Sequence, residues 1–125
     1  MSMANFLYNT NHVYIGVIYI IIGLIGGSFG FGLSIIIRLE LALPGYNSIS
    51  ALNYNSVITM HGLLMIFFMI MPILIGGFGN VLIPILLGCN DMIFPRLNLL
   101  SLWLSFFSLF LIILSLLIDS GVNAG

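Results

Sequence analysis

Three long apolar runs, separated by short polar stretches, divide this chain. The first extends from about Val13 to Ile37, roughly 25 residues, enough to cross a hydrocarbon core of about 30 Å as a helix. Arg38 and Glu40 close it, and Pro44-Gly45 marks a turn. The second runs from about Ala51 to Leu87. As a straight helix it would be about 55 Å long, so it must tilt, kink or protrude. Pro72, the Gly76-Gly77-Phe78-Gly79 cluster and Pro84 are the places where it can bend. A short connection, Gly88-Cys89-Asn90-Asp91, leads to the third run, from about Phe94 to Ile118. Pro95 lies in its first turn, where a missing N–H costs nothing. The pattern predicts an all-α membrane protein with three transmembrane helices, about 13–37, 51–87 and 94–118. Residues 1–125 form one membrane region with no soluble domain. Arg38 and Arg96 fall on opposite sides, so the distribution of positive charge does not orient the chain.

Composition agrees. Of 125 residues, 62% are hydrophobic and only 4% charged, against about 25% charged in soluble domains. The mean hydropathy is +1.31. The net charge of -1 by itself implies nothing about nucleic acid, but the sequence offers no basic patch for phosphates, and the lipid bilayer is the expected partner. The single Cys89 excludes an internal disulfide and reads as a small neutral residue. No Arg or Lys precedes the first run, so Met1–His12 is expected to be neither a transit peptide nor the charged start of a signal peptide. Gly23/Gly27 and Gly26/Gly30 are spaced small-xxx-small, which predicts a closely packed partner helix.

The residue that changes the picture is His61, about ten residues into the second run and surrounded by apolar side chains. An ionisable group at that depth is expensive and points to function. Imidazole is also the commonest protein ligand of transition metals and haem iron. Gly62 removes bulk beside it; Met65 and Phe68 continue its face and would wall a flat apolar ligand. Arg38 ends the first helix on the same side, where it would meet a polar substituent of a macrocycle. The plainer reading of His61 is a buried histidine bonded to a neighbouring helix. Asp91 in the opposite loop, with Asn80 and Asn98 above it, would collect protons and hold a file of water; equally, these are a solvated acid and two helix-bridging amides. Glu40 near Gly45 reads either as a cation ligand or as a solvated helix-end acid. His12 reads as an interfacial residue.

Several stretches together resemble subunit I of the haem–copper oxidases, of the mitochondrial cytochrome c oxidase type. They are Thr10-Asn-His12, Ile15-Gly16, Ile37-Arg38-x-Glu40-Leu41, Pro44-Gly45, Tyr54-Asn55 and Thr59-x-His61. Met65-Ile-Phe-Phe-Met-Ile-Met-Pro72 and Ile75-Gly-Gly-Phe-Gly-Asn80 carry the resemblance most strongly. Pro84, Gly88, Asp91-Met92, Phe94-Pro95-Arg96-x-Asn98 and Trp103 complete it, over nearly the whole chain. The resemblance implies the N-terminal part of a bundle of about a dozen helices. It implies His61 as an axial ligand of low-spin haem a, and Arg38 as the partner of that haem's formyl group. It implies Asp91, Asn80 and Asn98 as the entrance and lining of a proton pathway. Glu40 and Gly45 would belong to a peripheral calcium, sodium or magnesium site. It also implies a mitochondrial inner-membrane location, with the N-terminus and Asp91 in the matrix.

The family's second haem a ligand, its high-spin haem a3 ligand and its copper B histidines are not in this sequence. Ala51 stands where many members carry an acid. The chain alone is therefore expected to be inactive, and to work with the remainder of subunit I, with subunits II and III, and with cytochrome c. A split subunit I is the expectation; a truncated chain is the alternative. Three rivals are a haem-free structural or assembly subunit, a fragment of a quinol oxidase of the same superfamily, and an unrelated b-type haem protein. The last would pair two histidines around one haem, and His12 is too near the interface to pair with His61.

Overall fold

Helix α1 spans His12–Ala42, 31 residues and about 46 Å at the α-helical rise. The computed structural model describes residues 11–42, 45, 51–90 and 92–117. The apolar run ends at Ile37, but the helix continues through Arg38 and Glu40, whose long unbranched side chains lose little freedom in a helix. Arg38 is exposed and Glu40 half-buried. Helix α2 is one continuous rod over 51–86, and helix α3 spans Pro95–Leu117. No strand occurs among the described residues. All three helices are long and apolar enough to cross a membrane.

Helix α2 is not a uniform α-helix. Its α-helical turns, Ala51–Met65 and Asn80–Leu86, are separated by wide π-helical turns at Ile66–Ile70 and Pro72–Gly79. The packing against α1 explains why. One row of α2 residues facing α1 is His61, Met65, Met69, Ile73, Gly77 and Val81; its neighbour is Leu64, Phe68, Gly76 and Asn80. The first row keeps a repeat of four, and the second keeps steps of four or eight. In an α-helix every fourth residue drifts by about 40°, so five steps would carry the row about 200° away from its partner. Wide turns hold more residues each and cancel that drift. The α1 side of the seam needs no such correction: His12 and Gly30 are separated by five whole α-helical turns.

The seam is tight because α1 offers glycines to it. A Cβ on Gly26 would lie 2.6 Å from the Phe68 carbonyl oxygen, and one on Gly27 would lie 2.6 Å from the Met69 Sδ. Without a hydrophobic driving force between helices in lipid, such close backbone approach supplies the packing energy. Helix α3 joins through a small core of Ile15, Tyr19, Ile22, Leu64, Phe68, Leu102 and Leu109. In the most apolar stretch of α3 only 11% is buried, so most of it faces lipid or further helices.

Candidate functional site

His61 sits four residues before the end of the first α-helical part of α2 and is half-buried. Its Nδ1 lies 2.8 Å from the carbonyl oxygen of Gly30 on α1. A carbonyl only accepts, so Nδ1 carries the proton and donates, and the lone pair is on Nε2. A hydrogen bond of this kind, from the other ring nitrogen to a backbone carbonyl, is what orients metal-binding histidines and raises their basicity. The next residue leaves its own position open: a Cβ on Gly62 would meet nothing within 4 Å among the described residues. Met65 packs over Gly30 and Phe68 over Gly26. The structure thus gives both side chains to the seam that holds the imidazole. Arg38 follows Gly30 by two turns, about 12 Å further along α1, at the same end of the helix pair.

A second constellation occupies the other end. Tyr19, Pro72, Gly76, Asn80, Asn98 and Ser101 line a cleft of about 330 Å³ between the three helices. Ser101 Oγ donates to the Asn98 carbonyl at 2.6 Å, and Tyr19 Oη lies 2.7 Å from the same Oγ. With the serine proton committed to a carbonyl, the Tyr19 hydroxyl is the donor. The result is a directional chain from Tyr19 through Ser101 to Asn98. The Asn80 Nδ2 donates to the Gly76 carbonyl within its own helix. The Asn98 Nδ2 is buried and has no partner among the described residues, a donor that calls for an acceptor such as water.

His12 departs from its interfacial reading. It is 6% exposed, and its Nδ1 donates to the Asn80 carbonyl at 2.9 Å. The two histidines thus clasp the α1–α2 seam at its two ends, each donating to a carbonyl of the opposite helix. Tyr19 and Ser101 were not singled out from the sequence. A tyrosine and a serine in apolar helices carry no local signature, and only docking of α3 on α1 brings them together.

Asp91 lies outside the described residues. Asn80 and Asn98, two of the three polar residues read as a group, do share one cleft. Gly45 holds φ at +79°, a left-handed conformation that a Cβ would disfavour. Among the described residues no cluster of three His, Cys, Asp or Glu side chains is present. The exposed Cys89 is a free thiol.

Residues 14–125 match the family described as cytochrome C and quinol oxidase polypeptide I. The chain is 52% identical over 120 residues to cytochrome c oxidase subunit 1 of Mytilus edulis, covering 95% of this chain and 22% of that relative. It is 46% identical over 127 residues to the protein of the same name from Yarrowia lipolytica, covering 100% and 24%. The corresponding protein of Pecten maximus is 45% identical over 115 residues, covering 92% and 24%. The chain thus spans about a quarter of the length of these curated relatives. Agreement of this extent, over helices that carry an oriented intramembrane histidine, places the chain in the cytochrome c and quinol oxidase polypeptide I family.

Proposed function

We propose that this chain supplies one axial ligand of the low-spin haem a, and the lower part of a proton pathway, to a cytochrome c oxidase of the respiratory chain. The carrying observation is the His61 imidazole, fixed by the Gly30 carbonyl so that Nε2 is left to bind iron. The open position at Gly62, next to His61 in the chain, adds no bulk against a flat ligand. When bound, the haem supplies one-electron transfer; the protein sets its orientation and tunes its potential. Met65 presses on the glycine that holds the ring, and Arg38, at the same end, hydrogen-bonds a polar substituent of the macrocycle. Glu40 and Gly45 contribute to a peripheral cation site near that end.

The polar cleft takes the second role. Asp91 gathers protons at the matrix side, and Asn80 and Asn98 pass them upward through ordered water. The Asn98 amide, unpartnered among the described residues, supports this reading because a buried donor calls for such an acceptor, and the Tyr19–Ser101 pair lines the same cleft. Oxygen reduction at haem a3 and copper B belongs to helices completing the subunit. Subunits II and III, and cytochrome c as electron donor, complete the working complex in the mitochondrial inner membrane. The N-terminus of this chain faces the matrix.

The test is purification from native membranes through a tag on this chain, with a reduced-minus-oxidised spectrum and mass spectrometry of the eluate. An a-type haem spectrum with peptides from the rest of subunit I is expected. A colourless eluate without those peptides would leave a structural membrane protein and reject the haem assignment. A complex oxidising quinol but not cytochrome c would correct the electron donor alone.

The two roles separate by mutation. Asn98→Leu removes the orphan donor while leaving the far end of α2 untouched. Proton uptake by the complex is expected to slow several-fold with the low-spin haem spectrum unmoved. Unchanged uptake at full assembly would remove Asn98 from the pathway.

A further inference from the structure

The four-residue repeat along α2 requires something to unwind the helix, and Pro72 stands in the middle of the unwound stretch. In an α-helix the N–H of residue 72 would bond the carbonyl of Phe68. Proline has no N–H, and its ring crowds that same carbonyl. A wide turn relieves this crowding, because a carbonyl there accepts from a donor one residue further along the chain. Helix α2 is wide on both sides of this position, over Ile66–Ile70 before it and from Pro72 to Gly79 after it. The Phe68 carbonyl also faces α1: its oxygen would lie 2.6 Å from a Cβ on Gly26, where the glycine instead presents a Cα–H. The preceding segment opens in the same manner, with the Met71 N–H bonding the Ile66 carbonyl five residues back.

The ends of the unwound stretch carry the two clasps. Above it, His61 donates to Gly30; below it, the Asn80 carbonyl accepts from His12. The drift of about 200° that the wide turns remove equals about two α-helical residues, roughly one for each of the two segments. We propose that Pro72 is a positioning residue: by holding α2 open it keeps His61 and Asn80 in register with α1 at once. It thereby couples the orientation of the iron-binding imidazole to the geometry of the polar cleft. Pro72 itself is buried and lines that cleft. The inference rests on the reading of His61 as a haem ligand, which the spectrum of the parent complex tests by itself.

A compensation experiment in the assembled oxidase distinguishes register from simple packing. Pro72→Ala restores the missing donor and lets one wide segment close. The lower half of α2 then runs ahead by one residue. Turnover is expected to fall about tenfold, the size typical of disturbing a residue that orients a metal ligand, with a shifted low-spin haem band. Deletion of Leu74, a 57% exposed residue, from the parent chain is expected to do similar damage by the opposite slip. Combining Pro72→Ala with the Leu74 deletion removes the surplus residue from the closed helix. The pair is expected to recover turnover and band position to within about twofold of the parent, relative to the tenfold loss above. A variant that fails to assemble counts as zero turnover. Two results overturn the proposal: Pro72→Ala leaving turnover and band unchanged, or the combined variant performing no better than the worse single change. A parent complex lacking the low-spin band would instead reject the haem reading beneath it.

Discussion

His61→Ala is expected to eliminate the low-spin haem from the assembled complex and to lower cytochrome c oxidation about 100-fold or more, as loss of an axial ligand demands. Assembly itself is expected to survive. The imidazole contributes one hydrogen bond to the seam, worth about 1 kcal/mol, and the Gly30 carbonyl retains its place in the α1 ladder. The clasp at the far end, from His12 to Asn80, and the glycine contacts between them are untouched. An optical spectrum and a native-gel assay of the same preparation separate the two effects. A fully assembled His61→Ala complex with an unchanged low-spin band would falsify the ligand assignment. His61 would then be a buried hydrogen-bonding residue, the counterpart of His12.

The seam supports a second large effect, which should differ sharply between two adjacent glycines. At Gly26 a new Cβ would face the carbonyl oxygen of Phe68 at 2.6 Å and its Cβ at 3.0 Å. These atoms are held by the helix, so the helices themselves must separate. At Gly27 the obstacle is the Met69 thioether, with Sδ at 2.6 Å. Methionine is flexible and can turn aside. Gly26→Ala is therefore expected to destabilise the complex by about 1–3 kcal/mol, and Gly26→Leu to prevent assembly. Gly27→Ala is expected to cost well under 1 kcal/mol, because an adaptable side chain repacks around a small volume change. Thermal inactivation of purified complexes measures the difference. Equal losses at the two positions would mean that the backbone approach at Gly26 does not limit the seam.

The number of helices could be read from the chain alone. Apolar runs longer than a hydrocarbon core, with Arg38, Pro44-Gly45 and Pro95-Arg96 at their margins, leave few alternatives once the composition excludes a water-facing surface. His61 stood out for the same reason: an imidazole among apolar neighbours is costly wherever it lies. The paired glycines announced a close helix contact, and the structure assigns that contact to α2.

The partners of these residues were beyond reach, because each depends on contacts between positions far apart in sequence. His61 meets Gly30 across 31 positions, His12 meets Asn80 across 68, and Tyr19 meets Ser101 across 82. The unwinding of α2 was equally hidden. Pro72 and the glycine cluster suggested a bend, but a proline is compatible with a kink as well as with wide turns. A repeat of four along α2 has meaning only against a straight partner that keeps 3.6 residues per turn. Local apolar patterning therefore determines that α2 crosses the membrane. Its packing on α1 determines how it is wound, and so which way His61 and Asn80 face.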